Sequence, residues 1–265
     1  MKNRFRIVVK IGSSSLTFSN GKLNFQRIEK LVKILYEVQS QNRQVLLVSS
    51  GAVAVGSGRL GFDKKPETLV EKQAMAALGQ AELIKIYQKF FDEHNQIVAQ
   101  VLLTKDAITS SRRRQIAKDA LLTLLEMNII PIINENDTVS TEEIEFGDND
   151  SLSAYVADLI DADLLILLSD IDGLFSADPR IDPSAHIIPL VEDINPAIES
   201  LATSSGTSFS TGGMTTKIAA AKICMESGID MIIANSINPG AIHQILNGEQ
   251  IGTLFSFSNL RETKI

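Results

Sequence analysis

Residues 5–15 read FRIVVKIGSSS, and this stretch decides the fold class. A mostly apolar run of strand length ends in a glycine and three serines, as expected for a buried strand followed by a turn. Lys10 interrupts the run just before the turn. Because a buried ammonium is costly without a partner, Lys10 at the carboxyl end of a strand predicts an anion nearby.

The rest of the chain repeats this strand pattern and alternates it with helices. Strands are predicted at 5–11, 44–49, 96–103, 129–133, 164–169, 231–234 and 253–257. Segments with apolar residues at helical spacing lie at 24–39, 73–91, 115–127, 152–159 and 215–227. This alternation predicts an α/β fold with a mostly parallel, doubly wound sheet, in which ligands bind beyond the carboxyl ends of the strands.

Composition narrows the function classes for this chain of 265 residues. The formal net charge is -7, and the one dense basic run, 112–114, is interpreted as an exposed helix start, so we expect no nucleic-acid partner. No apolar stretch approaches the roughly 18 residues that a membrane span needs. The single cysteine, Cys224, is interpreted as a buried helix residue and fits a reducing, cytoplasmic location.

Polar turns follow several of the predicted strands. Ser49 to Gly51, Asn134 to Asp137, and Ser169 with Asp170 each come directly after a strand, so these side chains are expected to meet at one edge of the sheet. Further along, residues 203–213 are dense in Ser, Thr and Gly and predict a mobile loop rather than an interdomain linker. Residues 210–217 read STGGMTTK and lead from this loop into a helix. The positive N-terminal end of that helix, with Lys217 one turn in, suits a phosphate.

Residues 147–150, GDND, precede another predicted helix, and two interpretations stay open. Asn149 or Asp150 is the helix N-cap, or these side chains organise amines around an anion. No Walker A motif is present. The glycines Gly56, Gly58 and Gly61 match G-x-G-x-x-G, but they begin several residues after the strand and are interpreted as a loop.

Together these motifs resemble the amino acid kinase family. The resemblance runs from end to end in motif order and is carried by KIGSS at 10–14, SSGA at 49–52, NEND at 134–137, GDND at 147–150, DGLF at 172–175, DPR at 178–180 and TGGMTTK at 211–217. It implies a three-layer α/β/α sandwich that binds ATP and Mg²⁺. The match is to members that phosphorylate the side-chain carboxylate of L-glutamate, the first step of proline biosynthesis.

The resemblance also implies roles for individual residues. Lys10 and Lys217 are the catalytic cations on the transferring phosphoryl group, and Asp150 holds them in place. The implied glutamate-binding residues are Ser50, Gly51, Asn134, Asp137 and Asn149. The implied ATP-binding residues are Lys10, Gly12, Ser169, Asp170, Thr211, Gly212, Gly213, Met214, Thr215, Thr216 and Lys217. No direct Mg²⁺ ligand is identified, because ATP phosphates and water are expected to hold the metal.

From the resemblance we expect one kinase domain over residues 1–265, with an N-terminal part that binds mainly glutamate and a C-terminal part that binds mainly ATP. Some relatives carry a C-terminal PUA domain, whereas this sequence resembles the shorter form without one. A homo-oligomer (dimer or tetramer), with proline as a feedback inhibitor, is also implied.

Three alternatives stay open. One is a kinase of the same fold for another small acid, carbamate or a nucleoside monophosphate. Another is a dinucleotide-dependent oxidoreductase, which depends on Gly56, Gly58 and Gly61. The third, a non-catalytic nucleotide sensor, would lack Lys10, Asp150 or Lys217, and all three are present.

Overall fold

The computed structural model describes residues 4–18, 22–62, 66–139, 149–204 and 213–257. Within these ranges the strands are β1 Arg6–Ile11, β2 Gln44–Ser49, β3 Val98–Leu103, β4 Ile130–Glu135, β5 Leu164–Ser169, β6 Leu190–Val191, β7 Asp230–Asn235 and β8 Thr253–Phe255. The helices are α1 Ser13–Leu16, α2 Phe25–Ser40, α3 Ala52–Leu60, α4 Leu69–Asp92, α5 Lys105–Thr109, α6 Ser111–Glu126, α7 Asn149–Leu159, α8 Pro196–Ser204, α9 Met214–Glu226 and α10 Ala241–Leu246.

The strands form one sheet in the order β3-β4-β2-β1-β5-β7-β8-β6. Pairing is parallel except between β7 and β8. The predicted fold class is confirmed, and all seven predicted strands are present. The sequence reading missed β6, which has only two residues. Because β1 lies between β2 and β5, the carboxyl end of β1 is in the middle of the sheet.

Helices cover both faces of the sheet, and the alternation of side chains along β1 shows how. Ile7 and Val9 point into a core shared with α2, α4 and α10. Val8 points into the opposite core, shared with α6, α7 and α9. Since side chains alternate along a strand, Lys10 falls on the same face as Val8, under α7 and α9.

The prediction of a loop around Gly56, Gly58 and Gly61 is wrong. Gly56 and Gly58 lie inside α3, and Gly61 follows its last residue with a φ of 69°. A Cβ on Gly56 would stand 2.0 Å from the Met75 carbonyl oxygen, and one on Gly79 would stand 1.8 Å from that of Ala52. The glycines therefore allow α3 and α4 to pack backbone against backbone, and they do not form the strand–turn–helix unit of a dinucleotide site.

Of two further sequence interpretations, one is confirmed in part and one in full. Helix α6 begins at Ser111, and Arg112 and Arg113 are exposed in its first turn, but Arg114 is 33% exposed and pairs with Asp158. Cys224 is fully buried on α9. None of the helices in the described ranges combines the length and apolar character needed to cross a membrane.

Candidate active site

Two lysines and one aspartate form a buried charged cluster at the carboxyl edge of the sheet. Lys10 Nζ lies 2.5 Å from Asp150 Oδ1, and Lys217 Nζ donates a hydrogen bond of 3.1 Å to Asp150 Oδ2. Asp150 is 0% exposed, Lys217 2% and Lys10 6%. The cluster carries two cations and one anion, so its net positive charge suits a site for an anionic ligand.

The electrostatics of Asp150 follow from these neighbours. Burial alone would raise its pKa, but the charges and hydrogen bonds of Lys10 and Lys217 outweigh burial and lower the pKa below the ordinary value. Asp150 is therefore ionised at neutral pH. Its carboxylate ties together β1, α7 and α9, which are far apart in the sequence.

Helix termini place two members of the cluster. Helix α7 begins at Asn149, so Asn149 and Asp150 occupy its first turn and neither is the N-cap that one interpretation proposed. Helix α9 begins at Met214 after Gly213, and no side chain caps it. The Thr216 hydroxyl lies 3.0 Å from Asp150 Oδ2 and 2.7 Å from the Gly213 carbonyl oxygen. The open, positive end of α9 thus lies at the cluster.

A chain of neutral side chains lies beside the charged cluster. Asn149 Nδ2 donates to Ser50 Oγ and to Asn134 Oδ1, each at 2.8 Å. Asn134 Nδ2 in turn donates to Gln80 Oε1 at 2.9 Å. We call Gln80, Asn134, Asn149 and Ser50 the amide chain. It brings together three of the five sequence-predicted substrate residues, and it adds Gln80, which the sequence reading missed.

The other two predicted substrate residues lie close in the chain to these. Gly51 follows Ser50 with a φ of 103°, in the left-handed region that favours glycine, and this turn leads directly into α3. Asp137 lies on the turn after β4, where it lines a cavity of about 290 Å³ with Gln80. Burial raises the Asp137 pKa to about 6, because removal from water disfavours the carboxylate.

The turns that follow β1, β5 and β7 meet on the other side of the cluster. Ser169 Oγ donates to Asp170 Oδ1 at 3.0 Å, and the Ser169 carbonyl accepts from the Ser236 N–H at 2.7 Å. Ser15 Oγ donates to Ser236 Oγ at 2.5 Å. Ser15, one of the three serines that follow β1, and Ser236, which the sequence did not signal, connect these segments.

Two further hydrogen-bonded pairs lie outside the cluster and the amide chain, and one of them involves a motif noted in the sequence. Tyr87 of α4 is buried and its hydroxyl lies 2.9 Å from Ser49 Oγ, a contact that the sequence did not signal. Arg180 makes hydrogen bonds of 2.9 and 2.6 Å to the two carboxylate oxygens of Asp178. The 178–180 motif is thus a local contact of its own loop.

Some predicted residues and groups remain outside this geometry. Thr211, Gly212, Gly147 and Asp148 lie outside the described residues. In the part of the chain that is described, no group of three or more His, Cys, Asp or Glu side chains is arranged to hold a metal ion.

The fold and the site together define a class of protein: an α/β protein with two buried lysines that share one aspartate at the carboxyl edge of its sheet, an arrangement that suits anionic ligands. Comparison with known proteins agrees. Residues 5–235 match the amino acid kinase family, and the chain belongs to that family.

Curated relatives are similar over nearly the whole chain. A glutamate 5-kinase of Clostridium perfringens (strain 13 / Type A) is 50% identical over 96% of both chains. One from Listeria monocytogenes serovar 1/2a is 48% identical over 97% of this chain and 94% of the relative. A third, from Thermoanaerobacter sp. (strain X514), is 51% identical, and the match covers 94% of this chain but 67% of the relative.

Solved structures share the fold at low sequence identity. UMP kinase from Ureaplasma parvum superposes with a TM-score of 0.66 at 17% identity, covering 96% of this chain and 99% of the other. Isopentenyl phosphate kinase from T. acidophilum gives 0.64 at 17% identity, covering 94% and 99%. These similarities support the three-layer sandwich and carry no information on the substrate.

Proposed function

We propose that this chain catalyses the ATP-dependent phosphorylation of the side-chain carboxylate of L-glutamate, which gives L-glutamyl 5-phosphate, the first step of proline biosynthesis. The observation that carries the proposal is the Lys10–Asp150–Lys217 cluster next to the amide chain. Relatives that carry the name glutamate 5-kinase at about 50% identity over most of the chain support the choice of acid.

The chemistry that this site must perform is the approach of two anions. In water the glutamate side chain has a pKa of about 4.3, so it is already a carboxylate at neutral pH and needs no general base. One carboxylate oxygen forms a bond to the γ-phosphorus, and the bond from that phosphorus to the β–γ bridging oxygen breaks. ADP leaves with the electron pair, and no proton moves.

In this proposal Lys10 and Lys217 supply positive charge where the phosphoryl group passes. One cation 4 Å from one anion, at an effective dielectric constant of 20, contributes on the order of 4 kcal/mol. Asp150 is a positioning residue: it fixes both ammonium groups, so they need not reorganise during transfer. Since phosphoryl transfer depends mainly on positioning and charge, fixed cations of this kind are a contribution that the protein can make to the reaction.

We assign the two substrates to opposite sides of the lysine cluster. Ser50, Gly51, Asn134 and Asn149 bind glutamate, and Asp137 accepts a hydrogen bond from its α-ammonium. The nucleotide side comprises Gly12, Ser169, Asp170 and the segment 211–217. The N-terminal part of the single kinase domain thus binds mainly glutamate and the C-terminal part mainly ATP.

We propose that Mg²⁺ binds together with the nucleotide and is held mainly by its phosphates. Both oxygens of Asp150 already contact lysines, so Asp150 is not suited to ligate the metal. The described residues fit Mg²⁺ only as a cation held by phosphates and water, its frequent mode in nucleotide sites. When bound, it supplies further positive charge to the β- and γ-phosphates.

Three finer properties complete the proposal. We propose a cytoplasmic location, where ATP and glutamate are available. We propose a homo-oligomer (dimer or tetramer), because β3 is an edge strand and Ile97, beside it, is 65% exposed; light scattering would measure the mass. Proline is proposed as an inhibitor that competes with glutamate, which initial rates at several glutamate concentrations would test.

A hydroxylamine trap tests the proposed reaction. The protein is incubated with ATP, Mg²⁺ and hydroxylamine, with glutamate, aspartate or N-acetylglutamate in separate tubes. Hydroxamate with glutamate alone supports the proposal. Hydroxamate with only a different acid would support a carboxylate kinase but contradict glutamate as its substrate. Folded protein that binds ATP and gives no hydroxamate with any acid would contradict an acyl phosphate product.

A further inference from the structure

We infer that Gln80 of α4 is a positioning residue for the acid substrate, acting through Asn134; this inference rests on the proposed function. Gln80 is half-buried and lies at the end of the amide chain farthest from Ser50. Its Oε1 atom accepts the hydrogen bond from Asn134 Nδ2 at 2.9 Å.

This first hydrogen bond sets the direction of the others. With Nδ2 turned to Gln80, Asn134 presents Oδ1 to Asn149 Nδ2. The second proton of that nitrogen goes to Ser50 Oγ, 2.8 Å away. Because Ser50 Oγ then accepts, its own proton is left to donate, which suits a carboxylate substrate. Gln80 thus helps to set which groups of the amide chain face the ligand as donors.

The packing of α4 explains how Gln80 reaches Asn134. The preceding residue, Gly79, packs so close to α3 that a Cβ would stand 1.8 Å from the Ala52 carbonyl oxygen. Ala52 is two residues after Ser50, at the start of α3. This one backbone contact therefore fixes the positions of Gln80 and Ser50, the two ends of the amide chain, relative to each other.

The alternation of side chains along β4 places Asn134 on the face of the sheet that α4 covers. Ile130 and Ile132 of β4 belong to the core beneath α4, and Asn134 has the same parity along the strand. Asn134 is 3% exposed, so without Gln80 its amide would lose a partner in a buried position. Gln80 also lines the cavity with Asp137, so direct contact with the ligand is the rival explanation.

A double-mutant cycle separates the two explanations. Gln80→Met keeps the length of the side chain and removes the acceptor. We expect it to raise the glutamate KM about fivefold to tenfold, the range for losing one ordering hydrogen bond, with the ATP KM within twofold of wild type. In an Asn134→Ala background, the same substitution is expected to change the glutamate KM less than twofold. The matched control is Gln88→Met, on the exposed side of α4, which should leave both KM values unchanged.

Several results would overturn the inference. An equal KM rise in both backgrounds would show that Gln80 acts without Asn134, and no rise in the wild-type background would remove Gln80 from the site. Gln80→Ala repeats the cycle if the Met variant does not fold by circular dichroism. Wild-type protein that neither phosphorylates nor binds glutamate would instead contradict the proposed function, and with it this inference.

Discussion

The two halves of the site differ in what holds them together. The lysine cluster consists of three buried charged groups, and each lysine is satisfied by the same carboxylate. The amide chain consists of neutral, half-buried or buried groups linked by single hydrogen bonds of 2.8 to 2.9 Å. If Asp150 is removed from the cluster, the two lysines remain buried without an anionic partner, which strongly destabilises the fold. If one amide is removed from the amide chain, only one hydrogen bond is lost.

This difference indicates that the two halves have separate tasks in the proposed reaction. The charged half suits any phosphoryl transfer to an anion, because it recognises charge at short range. The neutral half suits the choice among acids, because directional donors and acceptors discriminate by geometry. Substitutions in the first half should therefore lower kcat or stability strongly, and those in the second should mainly raise KM.

The largest effect is expected for Asp150→Asn. This substitution keeps the shape of the side chain and leaves Lys10 and Lys217 buried without their anion, so the free energy of unfolding should fall by about 3–5 kcal/mol. Urea unfolding monitored by circular dichroism measures this loss. The control is Asp158→Asn on the same helix: Asp158 is one-third exposed and accepts hydrogen bonds from Arg114 and Ser227, so a smaller loss of about 1 kcal/mol is expected there. Equal losses in the two variants would contradict the special role of the cluster.

The next effect is on turnover. Lys217→Ala and Lys10→Ala should each lower kcat by roughly 10²-fold or more, since each removes one donor to the phosphoryl group in transit. Steady-state kinetics with saturating ATP and glutamate measure this change. Lys222→Ala is the matched control on α9, because Lys222 is 43% exposed and pairs with Glu199 at the surface. A Lys217→Ala or Lys10→Ala enzyme within threefold of wild type would remove that lysine from the mechanism.

The smallest effect concerns the neutral half and pH. The Asp137 pKa is raised to about 6 by burial, so its carboxylate forms as pH rises through that value. If the carboxylate binds the α-ammonium, the glutamate KM should fall about fourfold between pH 5.5 and 7.5, while the substrate side chain stays ionised. Asp137→Asn should raise KM at pH 7.5 and remove the pH dependence. A wild-type KM that does not change over this range would contradict the ammonium contact.

Sequence reasoning located the charged half better than the neutral half. Lys10 was conspicuous because a lysine inside a buried strand needs a partner. Gln80 gave no such signal, because glutamine is common both on the exposed face and on the partly buried face of a long helix. Its contact with Asn134 depends on the tertiary packing of α4 against α3 and β4.

Two errors have related physical causes. A loop was predicted at Gly56, Gly58 and Gly61 because they begin several residues after β2, yet Gly56 and Gly58 lie inside α3. Glycine disfavours a helix by about 1 kcal/mol, and at Gly56 the close packing against the Met75 backbone explains why glycine is nevertheless present. The missed strand β6 pairs with β8 through two residues, too few for a periodic pattern to appear in the sequence.

The most direct test of the central claim follows the oxygen of the substrate carboxylate. Glutamate labelled with ¹⁸O in both side-chain oxygens is incubated with ATP, Mg²⁺, hydroxylamine and the protein, and the inorganic phosphate is examined by ³¹P NMR. We expect one ¹⁸O in each phosphate that is released, because a carboxylate oxygen joins phosphorus before hydroxylamine attacks the carbonyl carbon. Phosphate without ¹⁸O would contradict phosphoryl transfer to the glutamate carboxylate, since the phosphoryl group would then have moved to water or to a different acceptor.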